Sequence, residues 1–388
     1  MRILHICLAA FYIDNYAYQE NVLPRMHKRM GFDVRILASC ESFVNNQSLG
    51  YVEPSSYINE DEIPVTRLPY RRWIPFFIAK KLRYYMGVSE YLEDYKPDLI
   101  FLHDIQFLDL IKVIKYKDKH ESVVIVADGH TDYVNSARGF ISKNILHGMI
   151  YKNAIRRSEK YISKFYGTLP LRNQFMREMY NIPKAKLEYL PLGVDDEKTV
   201  FVNHTSDKEM ITSKYHLDIN DYLVVTGGKL DSDKKNVLKL MDAVAKLQDV
   251  SLLIFGTFSK EIESQAKERL SEKIVFAGWQ NEADSMRILS AADIVIFPYL
   301  HSTLWEQTAG IGTPLVVKSI PGFDHVNING NCSFLESCDP HGIMERIKEC
   351  MTKDEELKAL AMEARDRFMY SKIAKRVIDE YEVLKKEI

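Results

Sequence analysis

Residues 223–236 read LVVTGGKLDSDKKN, an apolar run followed by two glycines and a lysine-rich stretch. The run that ends at Thr226 is typical of a strand buried on both faces of a sheet. The pair Gly227-Gly228 lets the backbone approach a ligand closely. We therefore expect a strand-to-helix junction, with Lys229 and Lys234 placed where backbone N–H groups point outward and can help to hold an anion. The alternative is an ordinary strand-to-helix turn with solvated lysines.

Short apolar runs of the same kind recur between stretches with helical spacing. They lie at 3–8, 34–38, 99–102, 123–127 and 187–190 in the first half, and at 223–226, 252–255, 274–277, 294–297 and 315–317 in the second. Apolar strands that alternate with helices are typical of parallel sheets covered by helices on both faces. The sequence predicts the α/β class, with two doubly wound, Rossmann-like domains that face each other across a cleft.

The boundary between the predicted domains falls at residues 190–195, where a strand ends in Leu-Pro-Leu-Gly-Val-Asp and a polar stretch follows. A length of 388 residues suits two domains of similar size. We place them at residues 1–192 and 193–370. A helix predicted within residues 371–388 is expected to pack back on the first domain.

Bulk composition excludes several classes of protein. A net charge of −2 gives no global field that favours nucleic acid. Five cysteines without a Cys-x-x-Cys pair argue against a disulfide framework or a structural zinc site. The N-terminus lacks the apolar segment of a signal peptide, and no apolar run is long enough for a membrane span. We expect a cytoplasmic protein.

A second candidate site follows the strand 294–297, where the chain reads PYLHSTLWEQTAGIGTPLVV. The loop His301-Ser302-Thr303 leads into a short helix whose free N–H groups would suit a phosphate. Glu306 or Gln307, one turn into the helix, could accept hydrogen bonds from ribose hydroxyls. Alternatively, Thr303-x-x-Glu306 is a capping box, which would leave Gln307 as the ribose contact.

A third candidate is His130, which follows Gly129 just beyond the strand 123–127. A histidine at the carboxyl end of a parallel strand can project towards a ligand and hydrogen-bond a sugar hydroxyl. The alternative is a loop histidine satisfied by its own surroundings. The pair His103-Asp104 has the same placement after the strand 99–102.

The second half resembles the donor domain of the retaining family-four glycosyltransferases. Their pattern of Gly-Arg-Leu, three residues and Lys-Gly is matched in spacing by Gly228-Lys229-Leu230 and Lys234-Lys235, with lysine in place of arginine and Lys235 in place of the last glycine. The resemblance implies a GT-B fold, with Lys229 and Lys234 in contact with the donor diphosphate.

Other segments extend the resemblance. Gln307 falls where the second glutamate of the family's Glu-x7-Glu motif would stand, and the first glutamate has no counterpart. Gly278-Trp279 lies where the family's backbone often holds the donor base, so Trp279 could stack on that base, although a tryptophan buried in the core is the alternative.

Residues 127–132 match the strand-end histidine segment, which implies that His130 faces the reacting sugar. The start of the chain is similar to family members that build capsule or other surface polysaccharide.

The resemblance implies a transferase that moves a hexose or N-acetylhexosamine from a nucleoside-diphosphate sugar to a glycan or lipid-linked glycan. The expected nucleotide is UDP, because it is the frequent one in the family. It further implies retention of configuration, acceptor binding by residues 1–192, donor binding by residues 193–370, and no tightly bound cofactor or metal. The alternatives are a nucleotide-sugar epimerase or a phosphorylase on the same fold. The missing glutamate suggests a further one, a non-catalytic donor-binding subunit.

Residues 66–89 combine basic and aromatic side chains without an acidic residue. This composition suits peripheral contact with an anionic membrane, such as the inner face of the cell membrane, where a lipid-linked acceptor would be presented. The alternative is a solvated basic helix that packs its aromatic rings on its own domain.

Overall fold

The computed structural model describes residues 1–44, 48–133, 136–137 and 139–387. The chain divides into two compact units, one of Met1–Pro191 with Ile373–Ile388 and one of Leu192–Lys372. The last helix, α14 (Tyr370–Glu387), therefore starts in the second unit and continues in the first. Ile388, the final residue of the segment predicted to carry this helix, lies outside the described residues.

The first unit is built on a mostly parallel sheet. Its strands are β1 (Arg2–Cys7), β2 (Asp33–Ser39), β3 (Glu41–Val44), β4 (Ser48–Tyr51), β5 (Ser55–Ile58), β6 (Pro64–Leu68), β7 (Leu99–Leu102), β8 (Val124–Gly129), β9 (Lys164–Gly167) and β10 (Leu187–Tyr189). Eight of them form one sheet in the order β10-β9-β8-β7-β1-β2-β6-β5, and β3 and β4 form a separate hairpin. Strands β1, β7 and β8 run side by side and in parallel, so their carboxyl ends meet at one edge.

Helices cover this sheet. They are α1 (Gln19–Arg29), α2 (Phe76–Leu82), α3 (Val88–Tyr95), α4 (Leu110–Lys119), a π-helical segment (Ile141–Tyr151) that continues into α5 (Lys152–Ser158), and α6 (Pro170–Tyr180). No helix of the described chain is both long and apolar enough to cross a membrane.

The second unit is a six-stranded parallel sheet in the order β13-β12-β11-β14-β15-β16. Its strands are β11 (Tyr222–Leu230), β12 (Val250–Phe258), β13 (Ile274–Gly278), β14 (Ile294–Phe297), β15 (Leu315–Lys318) and β16 (Cys332–Leu335). Its helices are α7 (His204–Tyr215), α8 (Asn236–Val244), α9 (Lys260–Lys267), α10 (Glu282–Ala291), α11 (Leu304–Ile311), α12 (Pro340–Thr352) and α13 (Asp354–Ala364). The predicted pair of doubly wound α/β units is confirmed.

The sequence predicts that the first strand of the second unit ends at Thr226. This prediction is wrong, because β11 continues through both glycines to Leu230. Gly228 pairs with Gly256 of β12, and both have positive φ angles, +114° and +110°. A Cβ atom on Gly256 would lie 2.0 Å from the carbonyl oxygen of Gly228. The two strands can thus stay paired at this point because neither residue has a side chain.

We predict that Gly256→Ala destabilises the second unit by about 2–5 kcal/mol, because the new methyl meets backbone at a φ that L-residues avoid. Gly330→Ala is the matched control, since Gly330 has a φ of +101° but a Cβ there would meet nothing closer than a Leu360 methyl at 3.5 Å. The control should lose about 1–2 kcal/mol. Urea unfolding of both variants measures the difference, and equal losses would contradict the role given to the glycine pair.

Candidate functional site

The loops after β11 and β14 meet at the carboxyl edge of the second sheet, where these two strands are neighbours. A Cβ atom on Gly228 would lie 3.3 Å from the Leu304 side chain and 4.0 Å from Lys234 Nζ. Lys234 Nζ also lies 5.5 Å from the centre of the Tyr299 ring. The structure therefore brings Gly228 and Lys234 to the start of α11, although the two motifs are about seventy residues apart in sequence.

Hydrogen bonds hold the two loops together. The Tyr299 hydroxyl donates to the Gly227 carbonyl oxygen at 2.8 Å and lies 2.9 Å from the Thr226 hydroxyl. The Asn236 amide, at the start of α8, donates to the Pro298 carbonyl oxygen at 2.9 Å. Because these donors and acceptors are fixed by neighbouring strands, the backbone around Gly228 is held in place before any ligand binds.

The two lysines of the first motif lie near each other. Burial lowers the pKa of Lys234, Asp231 opposes this shift, and the charge of Lys229 adds to it. Lys229 is exposed near the end of β11, whereas Lys234 is half-buried in the turn that leads to α8. Two ammonium groups that repel each other at a sheet edge can be neutralised together by a doubly charged anion such as a diphosphate.

Glu306 does not form the predicted capping box. Its carboxylate is fully buried and its Oε1 accepts hydrogen bonds from His301 Nε2 at 2.8 Å and His325 Nε2 at 2.9 Å. Thr303 precedes α11 without a side-chain capping bond to any described residue. A buried carboxylate needs donors, and these histidines supply them in place of the Thr303 backbone.

Burial alone would raise the pKa of Glu306, but the two histidines hold it well below its ordinary value. Glu306 therefore fixes the His301 ring, which is the half-buried member of this group. Gln307 is half-buried on the same helix. The partner His325 was missed by sequence reasoning, since no motif links it to residue 306.

The remaining predicted ligand contacts lie at two places. Ser302 is half-buried and Thr303 is exposed, both directly before α11. Trp279 follows β13, two strands from β11, and 63% of its surface is exposed. The reading of Trp279 as a buried core residue is therefore wrong, because Gly278 turns the chain outward with a φ of +73°.

In the first unit, His130 lies beside a buried carboxylate. Its Nε2 is 3.1 Å from Asp128 Oδ2 and 4.0 Å from Glu20 Oε1. Asp128 also accepts hydrogen bonds from the Gln19 amide at 3.0 Å and from the backbone N–H of Asp104 at 2.8 Å. The residues that hold His130 thus come from α1 and from the ends of β7 and β8.

The electrostatics of this group follow from its geometry. Burial disfavours a charged His130, but Asp128 and Glu20 outweigh it and raise the pKa of His130 to about 9. Burial likewise opposes the charge on Asp128, yet His130 and His103 hold its pKa below the ordinary value. Sequence reasoning singled out His130 and His103-Asp104 separately, and it missed Asp128, Gln19 and Glu20.

Two clusters have residue types that also bind metals. They are Glu20, His103 and His130 in the first unit, and His301, Glu306 and His325 in the second, each with potential ligand atoms within 4.8 Å of one another. In both, carboxylates and imidazoles are hydrogen-bonded or ion-paired within the protein. Hydrogen bonds and ion pairs within the protein are therefore sufficient to explain why these carboxylates and imidazoles lie close together.

Comparison with known proteins gives the context of these sites. Residues 207–367 match the family model described as glycosyl transferases group 1. This match contains Gly228, Lys229, Lys234, Trp279 and the whole of α11. No curated protein matches the chain in sequence.

Solved structures match over the full length at low identity. Sucrose-phosphate synthase from Thermosynechococcus elongatus is 16% identical, with all of both chains covered and a TM-score of 0.67. The catalytic domain of starch synthase IV from Arabidopsis thaliana, bound to ADP and acarbose, is 14% identical, with 100% and 99% covered and a TM-score of 0.69. HepE of Anabaena, in complex with UDP, is 14% identical, with 99% and 100% covered and a TM-score of 0.67. The predicted GT-B fold is thereby confirmed.

We predict a pH-dependent contribution of His130 to stability. Because its folded pKa of about 9 lies above the ordinary value of about 6.5, its contribution is fully present below pH ~6.5 and is lost as pH rises through about 9. Relative to His130→Asn, the wild-type free energy of unfolding should fall by roughly 1–3 kcal/mol between pH 6 and pH 10. Urea unfolding at both pH values measures this, and a constant difference would contradict the Asp128 pairing.

Proposed function

We propose that this protein is a glycosyltransferase that moves a hexose or N-acetylhexosamine from a nucleoside-diphosphate sugar, with UDP as the nucleotide, to a glycan or lipid-linked glycan acceptor with retention of configuration. One observation carries the proposal. Gly228, Lys234 and the first turn of α11 converge at the carboxyl edge of a parallel sheet, inside the segment that matches the glycosyl transferases group 1 family.

The donor diphosphate would bind at this convergence. Lys229 and Lys234 would neutralise its charge, while Ser302, Thr303 and the start of α11 would donate hydrogen bonds to its oxygens. Gln307 would accept from the ribose, and Trp279 would stack on the base through its exposed ring. HepE in complex with UDP and starch synthase IV bound to ADP both support a nucleoside diphosphate at this edge by likeness of fold, and UDP is proposed from the family resemblance.

In the proposed transfer, stabilising the departing diphosphate matters more than supplying a nucleophile from the protein. As the bond from the sugar to the diphosphate breaks, negative charge grows on the diphosphate and the sugar gains oxocarbenium character. Two ammonium groups near each other at the sheet edge would stabilise that charge. No carboxylate pair is assigned as nucleophile and acid, so retention would follow from attack on the same face as the departing diphosphate.

His130 would contact the transferred sugar. Its ring is half-buried at the end of β8, and Asp128 orients it there. In this proposal it is a catalytic residue together with Lys229 and Lys234. No cofactor other than the donor substrate is proposed.

We predict that Lys229→Ala and Lys234→Ala each lower turnover at saturating donor by about 10²–10³-fold, as expected for the loss of one group that stabilises transition-state charge. Lys235→Ala is the matched control, because Lys235 is an exposed lysine in the same turn. It should stay within about threefold of the wild type, since surface charges beyond direct contact are screened. Near-wild-type turnover in both test variants would remove the proposed diphosphate site.

The rival functions give different outcomes in the same assays. Consumption of donor without any acceptor would favour an epimerase, and phosphate-dependent release of a sugar phosphate would favour a phosphorylase. Donor binding without turnover would favour a non-catalytic subunit. A thermal-shift panel of nucleotide sugars identifies the base and narrows the sugar first, because ligands that bind the folded state raise its melting temperature.

An acceptor presented at a membrane fits the surface of the first unit. Trp73 and Phe77 are 70% and 68% exposed, and the neighbouring basic side chains of Arg72 and Lys81 are exposed as well. The π-helical segment adds further exposed apolar side chains: Ile141, Ile145 and Met149. Apolar rings among cations suit the interface of an anionic bilayer, so we propose peripheral association with the inner face of the cell membrane.

A cavity of about 200 Å³ lies between these two segments. Its charged lining consists of Lys80, Lys81, Arg83 and one carboxylate, Glu41, and the π-helical segment contributes Ser142 and Tyr151. Its cations and hydroxyls would suit a phosphate group of a lipid-linked acceptor. Acceptor binding by the first unit rests on this cavity and on the family resemblance.

We predict that the double variant Trp73→Ser, Phe77→Ser weakens binding to vesicles that contain anionic lipid by about 10-fold or more, because each ring would lose its burial in the interface. Val200→Ser is the control, since Val200 is 84% exposed but belongs to the second unit. Co-sedimentation at two salt concentrations measures the binding and separates the apolar contribution of the rings from the salt-dependent contribution of the basic side chains. Equal binding of the double variant and the control would argue for a surface that does not meet lipid.

A further inference from the structure

Three buried histidines form a continuous chain behind His130. His27 Nε2 lies 3.3 Å from the carbonyl oxygen of Ala374 in α14, and His27 Nδ1 lies 3.0 Å from His5 Nε2. His5 Nδ1 lies 3.0 Å from His103 Nε2, and His103 Nδ1 lies 3.1 Å from Asp128 Oδ2. All three imidazoles and Asp128 are fully buried.

The chain crosses the first unit from α14, through α1 and β1, to the ends of β7 and β8. The rings of His5 and His103 lie with centres 5.2 Å apart, and Phe101 packs against both. The titratable and polar groups that face the chain or its carboxylate end are Cys7 on β1, Gln19 and Glu20 on α1, Asp104 after β7, His130 after β8 and Arg172 on α6.

The number of protons in this chain follows from its contacts. Four contacts join the Ala374 oxygen, three imidazoles and the Asp128 carboxylate, and each contact needs one proton between its two atoms. The oxygen atoms at both ends are acceptors, and three neutral imidazoles carry one N–H each. The chain is therefore one proton short unless it holds an additional one.

A missing proton would leave two lone pairs facing each other in the protein interior. If His27 donates to Ala374, neutral rings must all point the same way, and His103 then turns a bare nitrogen towards Asp128. If His103 donates to Asp128, the mismatch moves to the Ala374 carbonyl. Either arrangement costs about as much as a buried unsatisfied polar group.

We propose that the chain His27–His5–His103 stores one proton beyond those of three neutral imidazoles, and that this proton makes His103 an imidazolium paired with Asp128. Asp128 is the anion at the end of the chain, so the positive charge is stabilised most on the ring next to it. Burial lowers the pKa of His5 and of His27, which keeps these two rings neutral and directed towards Ala374.

The stored proton has a consequence for the site. It keeps Asp128 ionised and fixes the direction of its oxygen atoms, one of which lies 3.1 Å from His130 Nε2. His5 and His27 are then positioning residues, because they act on His130 through His103 and Asp128 without touching a substrate. Their effect on turnover rests on the proposed function, whereas the proton count does not.

Three variants separate the proton count from simple packing. In His27→Gln the amide can donate to Ala374 and accept from His5, so the two remaining imidazoles still serve three contacts and the additional proton stays. In His27→Phe the two imidazoles serve two contacts, so the additional proton is no longer needed. Asp128→Asn replaces an acceptor by an N–H donor of the same shape, and it also removes the need for the proton.

The test is two-bond ¹⁵N–¹H spectroscopy of histidine side chains at pH 8, in a His130→Asn background so that His130 does not contribute. Ordinary imidazoles are neutral at this pH, since their pKa is about 6.5. We expect one imidazolium signal that is present in the background protein, persists with His27→Gln and disappears with His27→Phe and with Asp128→Asn. If His27→Phe fails to fold, Asp128→Asn and His27→Gln still give the comparison.

Absence of that signal in the folded background protein, or its persistence in Asp128→Asn, would overturn the proposal. Turnover gives a separate readout in proteins that retain His130. His27→Phe should lower kcat at pH 8 by about 10-fold, as for other residues that orient a catalytic group, with the donor KM unchanged, while His27→Gln should keep kcat within about threefold. A signal with the expected pattern in a protein without transferase activity would contradict the proposed function and leave the stored proton in place.

Discussion

A buried carboxylate surrounded by imidazoles is the interaction on which the candidate site of each unit depends. Asp128 lies beside His103 and His130 in the first unit, and Glu306 accepts from His301 and His325 in the second. An isolated carboxylate could not remain charged in these interiors, because its desolvation would exceed any single contact. The histidines supply donors at short range, and in return their rings are held in one orientation.

This arrangement explains why the two units present rigid groups at the edges of their sheets. The loops after parallel strands have few backbone partners of their own, so side chains have to fix them. In the second unit, Tyr299 and Asn236 tie the loops after β11 and β14 to each other. A ligand that enters such an edge meets groups that are already oriented, which reduces the entropy lost on binding.

Much of the fold could be predicted from the sequence, because the central strands are buried on both faces and are mostly apolar, with exceptions such as His5 in β1 and Asp128 in β8. The strands that were missed are short, and strands such as β5, β6 and β16 have a mixed composition that resembles that of loops. Gly227-Gly228 was interpreted as the end of a strand. The strand continues because Gly256 lies opposite, and no pattern around residue 228 contains that information.

The candidate site was predictable where it depends on local spacing and not where it depends on distant partners. Lys234, Ser302 and Thr303 lie in the loops that follow β11 and β14, so their placement follows from the topology of parallel sheets. The capping-box interpretation of Glu306 used a local rule, and a residue nineteen positions away provides the competing donor. The histidine chain joins residues 5, 27 and 103, which have no common motif.

The terminal segment has a consequence for how the polypeptide is made. The acceptor for His27 is the carbonyl oxygen of Ala374, which is synthesised only after the whole of the second unit. Along the sequence, the second unit lies between the two segments that form the first unit. It can therefore fold while the first unit still lacks its C-terminal segment. The unit whose synthesis begins first is therefore the last to acquire its full set of buried contacts, because these contacts form only after residues 373–388 have been made.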